Sequence, residues 1–102
     1  MTTDPNDVPP IDDWNRLLDG KVAVVTGGGA EGIGGAITEL FATHGATVEV
    51  AEIDPHRANA VVEKVTAAGG SARAHVVDVT TEEGVAALAS AAATTAAAAY
   101  PH

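Results

Sequence analysis

Lys21-Val-Ala-Val-Val-Thr-Gly-Gly-Gly-Ala-Glu-Gly-Ile-Gly34 decides how this chain is read. Its first five residues are short, β-branched and apolar, as a strand buried on both faces requires. Beyond the loop, Ile33, Ile37, Leu40 and Phe41 recur at helical spacing, as in a helix. A strand, a glycine loop and a helix in that order make a nucleotide-phosphate site rather than a mere turn. Glycines let the backbone approach a pyrophosphate closely. The helix start then offers unpaired N–H groups and the positive end of its dipole. Gly27, Gly28, Gly32 and Gly34 are the expected phosphate cradle. Glu31 would repel a pyrophosphate and is expected to point to solvent.

The pattern continues outward from this loop. His44-Gly45 gives a helix stop, and Thr47 to Ile53 reads as a second strand. Asp54-Pro55 reads as an N-cap followed by proline at the first helical position. The next helix places Ala58, Val61, Val62 and Val65 on one face and ends at Gly69-Gly70. Ala72 to Val77 reads as a third strand. Thr80 to Glu83 has capping-box spacing and opens a third helix, with Val85, Leu88 and Ala92 expected inward. The expected class is α/β, a partial doubly wound parallel sheet of β-α-β-α-β-α order with strands arranged 3-2-1. Residues 1–19 read as an acidic, proline-bearing arm with Trp14, Leu17 and Leu18 able to pack on the body. Residues 20–88 read as a truncated dinucleotide-binding domain, and residues 89–102 as an alanine-rich tail.

Glu52 stands at the end of the second strand, 25 positions after Gly27. An acid there accepts hydrogen bonds from adenosine ribose hydroxyls and repels a 2′-phosphate. NAD is therefore expected in preference to NADP. Asp54 is an alternative ribose partner, and Arg57 is within reach of a 2′-phosphate. Asp78-Val79 follows the third strand. It either holds the adenine or caps the next helix, and the pattern leaves both open.

Composition bounds the rest. The 102 residues include three aromatics, so the core must be Val, Ile, Leu and Ala, and stability is expected to be low. The net charge of −9, with 5 basic against 14 acidic residues, argues against nucleic-acid or anionic-membrane binding. There is no cysteine, and the four histidines have no ligand-like spacing, so no metal site is expected. No stretch suits a signal peptide or a membrane span, and a cytoplasmic protein is expected.

These residues resemble the amino-terminal part of the short-chain dehydrogenase/reductase family. Leu18 to Gly27 is similar to that family's first strand, and Gly32-Ile33-Gly34 to the end of its Thr-Gly-x-x-x-Gly-x-Gly motif. Val48 to Asp54, containing Glu52 and Ile53, resembles the second strand with its cofactor-selecting acid. Asp78-Val79 resembles the adenine-side pair. The spacing departs at one place: four residues, Gly28 to Glu31, stand where the family has three. The resemblance implies NAD(P)-dependent alcohol/ketone oxidoreduction. The family's Tyr-x-x-x-Lys pair, Ser and Asn have no counterparts here: Tyr100 is the only tyrosine and no lysine follows it. The expectation is a cofactor-binding half without catalytic residues. Alternatives are a non-catalytic NAD-binding module, or a vestigial or frameshifted product. The strand order also leaves Val22 to Val25 at an apolar edge, so self-association or a partner chain is expected to cover it.

Overall fold

The computed structural model describes residues 16–29 and 32–99. Expectations for the amino-terminal arm, Trp14, Glu31 and Tyr100 fall outside the described residues. Three parallel strands, β1 (Val22–Thr26), β2 (Thr47–Ala51) and β3 (Ser71–His75), alternate with three helices, α1 (Ile33–Thr43), α2 (Pro55–Ala67) and α3 (Glu82–Ala99). The sheet order is β1-β2-β3, as expected, with β2 central and in parallel register to both neighbours. A parallel pair needs a crossover helix, which explains the strict alternation.

Pleating sends alternate residues to opposite faces. On one face, Ala23, Val25, Val48, Val50 and Ala72 pack with Ala42 and Phe41 of α1 and with Val61, Val62 and Val65 of α2. This is the main core, and it is built from valine and alanine, as the composition requires. Asp54 caps α2: its carboxylate accepts the N–H groups of His56 at 2.9 Å and Arg57 at 3.4 Å. Pro55 takes the first helical position.

Two expectations, both for α3, are corrected, and α1 buries its smaller residues. The side of α1 that turns inward carries Gly35, Thr38 and Ala42, whereas Ile33, Ile37 and Leu40 are 81%, 37% and 56% exposed. The larger residues lie on a side that no described element covers. In α3, Leu88 is buried but Val85 is exposed. The cap of α3 lies one residue later than expected: Thr81 Oγ1 accepts the Gly84 N–H at 3.0 Å.

The alanine-rich stretch from residue 89 continues α3 as a single helix to Ala99. A polar cluster on the second sheet face holds it there. Glu49, in the middle of β2, is fully buried. Its Oε2 meets His75 Nε2 and its Oε1 accepts the hydroxyl of Thr95 on α3. Arg73 Nη1 in turn donates to Thr95 Oγ1 at 3.2 Å. An acid in an otherwise apolar strand, Thr47-Val-Glu-Val-Ala51, was the one sequence signal of this cluster.

Candidate functional site

In a parallel sheet every strand delivers its following loop to the same edge. The glycine loop after β1, Glu52 and Ile53 after β2, and Asp78 and Val79 after β3 therefore share the carboxyl edge of the sheet. This is where the expected site residues were placed, and the fold gathers them at one edge.

The loop is pressed into shape by close backbone approaches. Gly27 has φ 64° and Gly32 φ 89°, conformations that only glycine adopts at little cost. A Cβ on Gly34 would stand 2.0 Å from the Gly27 carbonyl oxygen, so α1 begins in direct contact with the loop. Gly84 repeats the device at the start of α3, where a Cβ would stand 2.0 Å from the Asp78 carbonyl oxygen. The hydroxyl of Thr38, fully buried one turn into α1, is shared between the carbonyls of Gly34 at 2.9 Å and Gly28 at 3.2 Å. Thr38 thereby ties both ends of the loop to the helix. Sequence reading passed over it; a hydroxyl four residues after Gly34, on the side facing the loop, was the available signal.

The hydrogen bonds divide the cradle. The N–H groups of Gly27 and Gly28 donate to the Ala51 carbonyl, at 2.7 and 3.4 Å, and so fasten the loop to β2. The α1 start lies beyond this fastened part of the loop. That start suits an anion. Gly32 as N-cap provides no side-chain hydrogen bond, and the first turn of α1 holds no acidic residue. Among the described residues, a Cβ at Gly27 would meet nothing within 4 Å. The residues present fit a pyrophosphate, and Gly32, Ile33 and Gly34 would hold it through the helix start.

Glu52 lies against the same loop. A Cβ on Gly29 would be 2.5 Å from Glu52 Oε1, which leaves no room for any side chain there. Both carboxylate oxygens are engaged. Oε2 accepts the Ile53 N–H at 2.9 Å, and Oε1 lies 3.5 Å from Arg57 Nε. Asp78 Oδ1 accepts the Thr80 N–H at 2.9 Å and the Thr80 hydroxyl at 2.5 Å. These bonds, the hydroxyl's first, hold the Asp78 carboxyl below its ordinary value. Asp78 thus shapes the turn into α3 without being its N-cap. Among the described residues no cluster of His, Asp and Glu has the makings of a metal site. No helix among them is long and apolar enough to cross a membrane.

Comparison with known proteins agrees with this geometry. The family model for short chain dehydrogenases matches residues 21–98. A 7α-hydroxysteroid dehydrogenase of Escherichia coli K12 is 48% identical over 75 residues, covering 74% of this chain and 29% of that protein. The solved structure of a 7α-hydroxysteroid dehydrogenase with NADH and 7-oxo glycochenodeoxycholic acid superposes with a TM-score of 0.75 at 45% identity. That superposition covers 80% of this chain and 32% of the other. A metagenomic short-chain oxidoreductase in complex with NADP gives a TM-score of 0.71 at 37% identity, over 76% of this chain and 35% of that one. The chain thus spans about a third of the length of the proteins it matches.

Proposed function

Given that the chain belongs to the short chain dehydrogenase family, we propose that it binds the adenosine and pyrophosphate end of a nicotinamide dinucleotide, NAD in preference to NADP. The observation that carries this reading is the glycine loop packed on Glu52 at one end and opening onto the uncapped start of α1 at the other. Gly32, Ile33 and Gly34 receive the pyrophosphate, joined by the neighbouring loop glycines Gly27 and Gly28 as its frame. Glu52 and Ile53 take the adenosine ribose, and Asp78 and Val79 line the adenine side. The bound dinucleotide would supply hydride chemistry. The alcohol/ketone oxidoreduction of a whole family member needs an acid–base residue, and among the described residues none stands at this edge in that role. The contribution of this chain is to bind and orient, in a cytoplasmic setting. A further chain, or a second copy of this one, covers the β1 edge. Val24, 43% exposed on that edge strand, and the uncovered side of α1 support this.

Calorimetric titration with NAD tests the reading. The chain is expected to bind NAD, and Glu52→Ala to weaken NAD and narrow the gap to NADP, because the acid's hydrogen bonds to the ribose and its repulsion of a 2′-phosphate both disappear. No heat at millimolar NAD would sink the proposal. Unchanged selectivity in the variant would remove Glu52 from the ribose site.

A further inference from the structure

We propose that Thr38 is a positioning residue of the nucleotide site: its hydroxyl holds the glycine loop in its binding shape before a ligand arrives, without touching the ligand. This rests on the nucleotide reading given above and adds to it a residue from the inward side of α1.

Thr38 stands on that side and is fully buried. Its Oγ1 donates to the Gly34 carbonyl at 2.9 Å and to the Gly28 carbonyl at 3.2 Å. The first bond, four residues back along the helix, is one that any helical threonine can make. It is enough to satisfy a buried hydroxyl. The second crosses from the helix to a loop residue ten positions earlier, and nothing in helix formation calls for it. Alanine would also suit a helix better than threonine at this position. The hydroxyl therefore serves the loop rather than the helix.

The contact is close. A Cβ on Gly28 would stand 2.9 Å from Thr38 Oγ1 and 3.0 Å from the Val25 carbonyl oxygen, so the loop backbone lies directly between β1 and the hydroxyl. The Gly28 N–H reaches the Ala51 carbonyl only at 3.4 Å. That is a long and weak bond, and the bond from Thr38 is the shorter of the two. Four residues, Gly28 to Glu31, separate Gly27 from Gly32. Each residue in such a loop adds backbone freedom that ligand binding must remove. A hydroxyl that fixes the first of them, and also bonds to the first turn of α1, sets loop and helix start in one register. Setting that register in the free protein lowers the ordering cost of binding.

The test compares Thr38→Val, which keeps the shape and removes the hydroxyl, with Thr38→Ser, which keeps the hydroxyl and removes the methyl. NAD is titrated into the full chain of each, and urea midpoints are recorded alongside. Thr38→Ser is expected to lower the midpoint, because it empties a methyl's volume at a fully buried site, and to keep wild-type NAD affinity. Thr38→Val is expected to weaken NAD about fivefold, the scale of one neutral hydrogen bond. Its nucleotide-free NMR spectrum should also show a displaced Gly29 amide, since that N–H shares a peptide group with the Gly28 carbonyl. Wild-type affinity in Thr38→Val would overturn the assignment, as would affinities that follow the midpoints, with serine binding more weakly than valine. No binding of NAD by wild type would instead overturn the nucleotide reading, and this proposal with it. The Gly29 signal, read without nucleotide, tells that case from one in which the Thr38 bond itself is absent.

Discussion

Replacing Gly34 by alanine is expected to cost the chain its nucleotide site. The added Cβ would lie 2.0 Å from the carbonyl oxygen of Gly27, 2.8 Å from its carbonyl carbon and 3.1 Å from the Gly28 Cα. All three are backbone atoms, so no side chain can rotate away to make room. The α1 start and the loop must separate, and Thr38 then loses its grip on the Gly28 carbonyl. Overpacking of this kind costs about 3 kcal/mol, the upper end of the usual range. Displaced loop amides would lower NAD affinity by about a hundredfold if the same energy is lost from the bound geometry. Gly69→Ala is the matched control. It also has a positive φ, 88°, but a Cβ there meets nothing within 4 Å among the described residues, and the residue lies just past the end of α2, away from the loop. It should lower stability by about 1 kcal/mol through backbone strain and leave NAD affinity unchanged. Denaturation midpoints and calorimetry on both variants check this. Equal losses of affinity in the two would show that general destabilisation, and not the loop contact, is responsible.

The second large effect is expected at His75. Glu49 is fully buried in the central strand and relies on His75 and Thr95 for its hydrogen bonds. Truncating His75 to alanine removes one of the two hydrogen-bond partners of a fully buried acid. Breaking a buried pair from one side costs about 3–5 kcal/mol. For a small domain with a valine and alanine core, that is a large share of the total stability. Converting both Glu49 and His75 to leucine removes the buried carboxyl together with its partner and is expected to restore most of the loss. Thr95 tolerates this, because its hydroxyl also reaches the Ala91 carbonyl at 3.2 Å. Urea midpoints for the three proteins decide the matter. A double variant no more stable than His75→Ala would show that the imidazole contributes packing rather than a hydrogen-bond partner for Glu49.

The strands and crossovers were legible because their signals are local. β-Branched runs mark β1 and β2, Gly45 and Gly69 stop the helices, and Asp54-Pro55 starts one. That the proposed site residues share one edge was legible because a parallel sheet must deliver its loops to the same side. The inward side of α1 was not. Apolar periodicity picked Ile33, Ile37 and Leu40, but close contact between helix and loop demands small residues, and Gly35, Thr38 and Ala42 fill that side instead. Periodicity reports which side is most apolar, and the side packed closest to a backbone is often the smaller one. The alanine-rich half of α3 posed a different difficulty. Its docking depends on a hydroxyl, Thr95, meeting an acid 46 residues away. No local pattern encodes such a pairing.

The central claim is that this chain holds the adenosine–pyrophosphate end of NAD at the carboxyl edge of its sheet. Backbone amide shifts recorded by NMR during an NAD titration test it most directly. The largest shifts are expected at Gly32 to Gly35, with further shifts at Gly29, Ile53 and Val79, and little change at Gly69 and Gly70 on the opposite edge. Shifts that cluster at the opposite edge, or none at millimolar NAD, would contradict it.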